Sequence, residues 1–337
     1  MKSILMTGGA GFIGSNFVSY FLENHKDYHL INLDYLTYAA DLNNITLNTS
    51  ENTRYTFVKG SICDRPLIEK LFTENKIQGV IHFAAESHVD NSIENPSVFI
   101  ETNVNGTFTL LDVAYKKWME APFTHKEAYK ESRFLHVSTD EVYGTLGTTG
   151  LFTETTPYAP NSPYSASKAA SDMIVRSYHH TYGMNTVITN CSNNYGPKQH
   201  DEKLIPTIIR KALENQPIPI YGDGKNIRDW LYVLDHCKGV DLAYHKGKSG
   251  EVYNIGGRNE KDNLYIVNKI CDTLDDHFPK QNSYKELITF VEDRAGHDRR
   301  YAIDATKIEN ELGWKAKENF ESGIEKTINW YINKYKN

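Results

Sequence analysis

The sequence predicts an α/β fold in which a doubly wound parallel sheet is joined by a smaller C-terminal lobe. Three observations predict it: buried apolar runs alternate with helix-period segments, a glycine-rich turn links the first run to the first helix, and the pattern loosens beyond about Gly196. Alternation of this kind covers a sheet on both faces, so its strands read as continuous apolar runs and pair in parallel.

The first strand spans Ser3 to Thr7 and leads through the glycine turn into a helix over about Phe12 to Glu23. Further strands are expected over His29 to Leu33, Tyr55 to Val58 and Gly79 to Phe83, with helical segments between most of them. A helix over about Ser97 to Trp118, a fifth strand over Phe134 to Val137, a helix over Tyr164 to Tyr182 and a sixth strand over Thr186 to Thr189 complete the series. The shorter elements beyond Gly196 are rich in Pro, Gly and Asn, which predicts a lobe that lends loops to a cleft. Residues 1–195 thus read as a Rossmann-type dinucleotide-binding domain and 196–337 mainly as the second lobe, with some later segments returning to the first domain.

Composition narrows the function classes. A chain of 337 residues with 39% hydrophobic and 24% charged residues buries a large core and carries no low-complexity tract. Its net charge is -6 and its basic residues are scattered, which argues against a nucleic-acid partner. The apolar N-terminal run stops in the glycine turn too soon for a signal peptide, and no run reaches the ~18 apolar residues of a membrane span. Cys63, Cys191, Cys237 and Cys271 lie far apart, so buried thiols in a reducing, cytoplasmic setting are expected. His82, His88, His179, His180 and His297 lack the spacing and carboxylate company of a metal site, and no metal is expected.

The turn Thr7-Gly8-Gly9-Ala10-Gly11-Phe12-Ile13-Gly14 carries G-x-x-G-x-x-G spacing. Glycine at these points permits a tight turn, lets backbone N–H groups approach a pyrophosphate, and lets the helix pack close to the strand. The helix N-terminus adds partial positive charge. Asp34 closes the second strand about 20 residues beyond the last glycine, where a carboxylate binds ribose hydroxyls and repels a 2′-phosphate. NAD is therefore expected over NADP.

Tyr164 and Lys168 are four residues apart and share one helix face. A phenol with a reference pKa of about 10 is a poor base at neutral pH, and a nearby ammonium lowers it by ~1–3 units. Asp140 and Glu141 follow the fifth strand at the carboxyl edge of the sheet, where ligands of this architecture bind. Eliminating water from a sugar needs one group to accept a carbon-bound proton and another to protonate the departing hydroxyl, a division two adjacent acids can supply.

With these motifs the chain resembles the extended short-chain dehydrogenase/reductase family, and within it the dTDP-glucose 4,6-dehydratases. The resemblance rests on Thr139-Asp140-Glu141 and on segments in the same order along nearly the whole chain: Ala84 to Asp90, Cys191 to Pro197, Glu202 to Pro206, Ile227 to Trp230 and Asp293 to Tyr301. It implies that Thr139 binds the sugar near its 4-hydroxyl while Tyr164, helped by Lys168, takes that proton. Glu141 would then remove the C5 hydrogen as Asp140 protonates the C6 hydroxyl, with hydride stored on NAD between C4 and C6.

The resemblance further assigns Gly8, Gly11, Phe12, Ile13, Gly14, Asp34, Tyr35, Leu36, Thr37, Ser61 and Ile62 to the cofactor, together with Phe83, Ala84, Ala85, Ser87, Thr102, Tyr164, Lys168 and Asn194. Ser87, Thr139, Asn193, Lys203, Leu204, Pro219, Ile220, Tyr221, Arg228 and Asn263 would bind the nucleotide sugar, with Asp293, Arg294, Ala295, Gly296 and His297. A homodimer built on the helices near 97–118 and 164–182 is also implied.

Three positions depart from the family pattern: Ser61 where an aspartate is common near the adenine, Lys198 where an aromatic residue follows Gly-Pro, and Ala295 where proline is frequent. Other uses of such a scaffold include a UDP-sugar dehydratase, a nucleotide-sugar epimerase or decarboxylase, and a non-catalytic NAD sensor. The acid pair argues against the epimerase and decarboxylase, and retention of Thr139, Tyr164 and Lys168 argues against the sensor.

Overall fold

The computed structural model describes residues 1–45, 53–293 and 296–336. Apolar runs become the strands β1 (Lys2–Thr7), β2 (Tyr28–Asp34), β3 (Tyr55–Lys59), β4 (Gly79–His82), β5 (Arg133–Thr139), β6 (Thr186–Cys191) and β7 (Val252–Ile255). They form one sheet in the order β7-β6-β5-β4-β1-β2-β3, and every pairing in it is parallel. The order reverses between β1 and β4, which opens a crevice at their carboxyl ends.

Strand β1 shows why the sheet is buried on both sides. Ile4 and Met6 join a core with Phe17 and Phe21 of the helix Phe12–Asn24, while Leu5 joins the opposite core with Phe72 and Trp118. The side-chain period of two sends successive residues to opposite faces, so a half-polar strand would not fit here.

The sequence reading stops at six strands. The seventh, β7, follows the helix Val233–Lys246, which packs against Phe12–Asn24 and returns the chain to the large sheet. The remaining C-terminal segments build the smaller lobe: a three-stranded sheet of Asn193–Tyr195, Ile227–Tyr232 and Glu260–Asp262, and a parallel pair of Ile218–Tyr221 with Ile288–Val291. Helices Leu204–Leu213, Asn263–His277 and Phe320–Lys336 enclose a separate core that includes Ile208, Trp230, Ile270 and Phe320.

The helix expected over 97–118 is interrupted. Pro96–Phe99 is α-helical, Ile100–Gly106 is π-helical, and Thr107–Trp118 is α-helical again. Asn103 accounts for much of the widened turn: its amide donates to the Glu86 carbonyl at 3.0 Å and to Ser167 Oγ at 2.8 Å, and its oxygen accepts from Glu86 N at 2.8 Å. An extra residue inserted in this way re-aims side chains at functional sites. Among the described residues, no helix is long and apolar enough to cross a membrane.

Candidate active site

A cavity of about 630 Å³ opens at the carboxyl edge of the sheet. The glycine turn forms its floor. Gly8 sits at φ 74°, and a Cβ there would lie 2.6 Å from Ala84 N; a Cβ on Gly14 would lie 2.1 Å from the Gly8 carbonyl oxygen. Both positions therefore require glycine. Gly11 caps the helix Phe12–Asn24 without a side-chain partner, leaving the first N–H groups directed at the cavity side of the turn. Asp34 is buried and holds the turn: Oδ2 accepts from Ala10 N at 2.9 Å and Oδ1 from Leu36 N at 2.8 Å.

From the opposite wall come the ends of β5 and of the helix Pro163–Tyr182. Thr139, Asp140, Glu141, Tyr164 and Lys168 all line the same cavity as Gly8, Gly11 and Gly14. A 3-10 turn over Asp140–Tyr143 follows β5, and Thr139 Oγ1 caps it by accepting from Glu141 N at 3.3 Å. The helix starts with a capping box between Ser162 and Ser165 and a proline in its first turn, which fixes Tyr164 at the mouth of the cavity.

The acid pair divides by environment. Asp140 is 1% exposed, and burial first, then the neighbouring Glu141 and Asp229, push its carboxyl well above the usual range, against the opposing charge of Arg228. Its environment favours the protonated carboxylic acid over the carboxylate. Glu141 is only half-buried.

Tyr164 differs from the sequence expectation. Burial, then Glu141, raise its phenol well above the ordinary tyrosine range, with Thr139 opposing through a hydrogen bond. Lys168 Nζ donates to the Val137 carbonyl at 2.8 Å and lies 3.4 Å from His136 Nε2. Burial pushes Lys168 down to about 8.

The cavity also gathers Phe12, Ile13, Asp34, Tyr35, Thr37, Ser61 and Ile62, with Phe83, Ala84, Ala85, Ser87, Thr102, Asn193, Asn194 and Lys203. Leu36 is not on the wall and takes part through its N–H to Asp34. Ser61 Oγ accepts from Cys63 N at 3.1 Å, so a hydroxyl stands where the family pattern has a carboxylate.

Several expected substrate contacts lie off this wall: Leu204, Pro219, Ile220, Tyr221, Arg228, Asn263, Asp293, Gly296 and His297. Ile220 is buried in the small-lobe core, where strand alternation leaves Tyr221 exposed. Arg228 is buried with its guanidinium 4.3 Å from the Tyr301 ring, and donates to the carbonyls of Ile227 and Asp298. Asp293 and His297 pair at 2.6 Å, and Gly222, next to Tyr221, approaches Asp293 closely. Arg294 and Ala295 lie outside the described residues. Lys198 sits at φ 74° and does not line the cavity.

The wall holds residues that sequence reasoning did not assign: Glu86, Cys191, Ser192, Gln199, His200 and Glu202. Cys191 ends β6, and the rule that places ligands at strand carboxyl ends would have found it. His200 and Glu202 lie in an aperiodic loop, which offers no such signal. Among the described residues one group of three possible metal donors stands together, His25, Asp241 and His245, away from the cavity. Its imidazoles stack with centroids 4.5 Å apart, and His25 Nε2 and His245 Nδ1 both lie against Asp241 Oδ1, at 2.8 and 3.1 Å.

The family profile described as GDP-mannose 4,6 dehydratase matches residues 5–327. The dTDP-glucose 4,6-dehydratase of Xanthomonas campestris pv. campestris strain B100 is 54% identical over 334 residues, covering 98% of this chain and 93% of that protein. That of Salmonella typhimurium is 54% identical over 338 residues, covering 98% and 92%. Among solved structures, the dTDP-glucose 4,6-dehydratase of Bacillus anthracis in complex with NAD superposes with a TM-score of 0.87 at 48% identity, covering 100% of this chain and 98% of that one. The UDP-glucose 4-epimerase of Thermotoga maritima has a TM-score of 0.84 at 28% identity, covering 99% of each chain. With the dehydratase identities nearly twice that of the epimerase over the same length, the chain belongs to the GDP-mannose 4,6 dehydratase family and, within it, to the dTDP-glucose 4,6-dehydratases.

Proposed function

We propose that this chain is an NAD-dependent hydro-lyase that converts dTDP-glucose to dTDP-4-keto-6-deoxyglucose. The observation that carries the reading is the meeting, on one cavity, of a buried Asp140, its neighbour Glu141, the Tyr164–Lys168 pair and the glycine turn. The turn fits a dinucleotide: Gly8 and Gly14 leave no room for a Cβ, and Asp34 stands at the end of β2. Gly8, Gly11, Gly14 and Asp34 would hold NAD, with Phe12, Ile13, Tyr35, Leu36, Thr37, Ser61 and Ile62 beside them and Phe83, Ala84, Ala85, Ser87, Thr102 and Asn194 on the far wall. When bound, NAD takes a hydride from C4 of the sugar and gives it back at C6.

The side chains move protons around that exchange. Thr139 orients the 4-hydroxyl, and Tyr164, acting as the phenolate that the Lys168 ammonium favours, takes its proton at Oη as the C4 ketone forms. The ketone acidifies the C5 hydrogen, which a carboxylate oxygen of Glu141 removes. Asp140 passes its proton to the C6 oxygen, which departs as water, and the protonated Glu141 returns its proton to C5 as the hydride is delivered to C6. Burial suits Asp140 to this task, because a carboxyl already ionised at neutral pH would have nothing to donate. A redox cycle that closes on itself needs no second redox substrate.

Asn193 and Lys203 on the cavity wall, and the outer rim of Leu204, Pro219, Ile220, Tyr221, Arg228, Asn263 and residues 293–297, would bind the nucleotide. The dTDP-specific names of the relatives favour dTDP over UDP. We also propose a homodimer through the 97–118 and 163–182 helices, where Ile100, Phe108 and Met173 are exposed apolar residues, and a cytoplasmic location.

Purified protein incubated with dTDP-glucose, without added reductant, should yield a product lighter by one water in mass spectrometry, with UDP-glucose much slower. An unchanged dTDP-glucose mass after prolonged incubation of NAD-loaded protein overturns the reading.

A further inference from the structure

Behind the cavity wall lies a charged group that the reaction scheme leaves without a task. Tyr164, Lys168 and Asp172 recur every four residues along the helix Pro163–Tyr182, and so share one face. Tyr164 and Lys168 line the cavity, and Asp172 does not. Asp172 is 0% exposed, in a place where an isolated carboxylate is costly.

Among the described residues one oxygen of Asp172 is supplied with hydrogen-bond donors, while Oδ1 accepts no hydrogen bond. Its Oδ2 accepts from Ser138 Oγ at 2.8 Å and from Tyr158 Oη at 3.0 Å. Its Oδ1 lies 3.2 Å from His136 Nε2, and that same nitrogen lies 3.4 Å from Lys168 Nζ. One imidazole therefore stands between a buried carboxylate and a buried amine. His136 and Ser138 are two apart on β5 and point to the same face, so a single strand presents both contacts.

The other titratable groups near Lys168 are few. From its own helix there is Tyr164; from β4, His82, whose ring lies 5.1 Å from that of His136; from β6, Cys191; from the turn after β5, Asp140 and Glu141, which act on Tyr164. Burial holds both histidines well below their ordinary range, so they stay neutral. Burial also pushes Cys191 up to about 12 and Asp140 well above the usual carboxylate range. Asp172 is the first group to oppose the desolvation of Lys168, and Lys168 the first to oppose that of Asp172, itself pushed up to about 6 by burial.

We propose that Asp172 is a positioning residue that acts through Lys168: with neutral His136 as spacer, it is the counter-charge that keeps the Lys168 ammonium protonated and seated on the Val137 carbonyl, one helical turn from Tyr164, during turnover. This rests on the reading of Lys168 as the cation that assists Tyr164. The carboxylate touches neither sugar nor cofactor, which separates it from the catalytic groups. It explains why Ser138 and Tyr158 donate to one oxygen deep in the domain, and why a lysine can remain charged in a site that excludes water.

The sign of the effect follows. Removing the negative charge at 172 lets burial lower Lys168 further, so the amine loses its proton at lower pH and the basic limb of the activity profile moves down. The test uses the NAD-loaded enzyme with dTDP-glucose and follows nicotinamide reduction and kcat across pH in Asp172→Asn, Lys168→Met and the double variant. In Asp172→Asn the basic limb should fall by roughly one unit or more, within the range an opposite charge exerts. Activity at pH 8 should drop at least ~5-fold and recover in part as pH is lowered, with bound NAD and KM unchanged. Asp172→Asn should add no loss to Lys168→Met, since a residue that acts only through Lys168 has nothing left to influence.

A basic limb that stays in place overturns the proposal. So does a loss as large in the Lys168→Met background as in the wild type, which marks a purely structural role. Full activity of Lys168→Met alone would remove the assignment of Lys168, an outcome read without touching Asp172. Should Asp172→Asn not fold, Asp172→Glu keeps the charge and must keep the basic limb at its wild-type position even if kcat falls; a limb displaced in that variant rejects the counter-charge.

Discussion

Lys168 Nζ donates a 2.8 Å hydrogen bond to the Val137 carbonyl, two residues before Thr139 ends β5. The bond ties the helix that carries Tyr164 to the strand that carries the acid pair, so the groups of both half-reactions share one rigid corner. The phenol's own proton is held by burial and by the nearby Glu141.

Tyr164→Phe removes the group that takes the 4-hydroxyl proton and leaves the glycine turn untouched. Turnover should fall by about 10²–10⁴-fold, the usual range for losing a positioned acid–base group, while bound NAD is retained. Steady-state kinetics together with quantification of extracted NAD checks both halves.

How much of this was legible in the sequence depends on whether a signal was local. The strands around Ile4, Ile31 and Val80 were readable because burial on both faces leaves uninterrupted apolar runs. The glycine turn and the Tyr164–Lys168 spacing were readable because chemistry fixes their intervals. Strand β7 was not: Val252-Tyr253-Asn254-Ile255 is short, and its place beside β6 is set by a crossover helix and not by its own pattern. The π-helical turn at Ile100–Gly106 was hidden too, since it arises from Asn103 reaching Glu86 and Ser167, far apart in the chain. The raised Tyr164 phenol escaped because spacing gives the neighbour Lys168 and not where its amine points.

Glu141→Gln should separate the two halves of the reaction. Amide and carboxylate have nearly the same shape, but the amide cannot take the C5 proton. Nicotinamide reduction, followed by absorbance, should proceed, while loss of water in the mass spectrum should slow by at least ~10²-fold. An elimination rate equal to wild type would assign the C5 base to another residue.

Gly14→Ala tests the fit of the turn to its ligand. A Cβ at this position would lie 2.1 Å from the Gly8 carbonyl oxygen, a backbone atom that cannot step aside. The helix must shift away from the strand, with an expected loss of roughly 1–3 kcal/mol in stability and at least ~10-fold in NAD affinity. Thermal melts with and without added NAD report both effects.

Asp140 links the chemistry to stability, and its sign can be worked out. Its carboxyl is raised well above the ordinary range by burial, so in the unfolded chain it ionises at lower pH than in the folded one. Folding stability from this group is intact below the unfolded pKa and is lost as pH rises through the folded pKa, because only the unfolded state gains from ionisation in between. At neutral pH the wild type therefore carries a cost that an amide does not. Asp140→Asn should raise the melting temperature near pH 7 by roughly 2–4 °C per kcal/mol recovered, and the difference from wild type should vanish toward pH 3. The same substitution removes the proton donor for the C6 oxygen, so kcat should fall even as the protein becomes harder to melt, the trade expected of a strained catalytic group. Melting curves and kcat measured on one preparation across that pH range decide the matter. A destabilised Asp140→Asn at neutral pH would mean that the carboxyl is held ionised, and that the proton for the departing water comes from elsewhere.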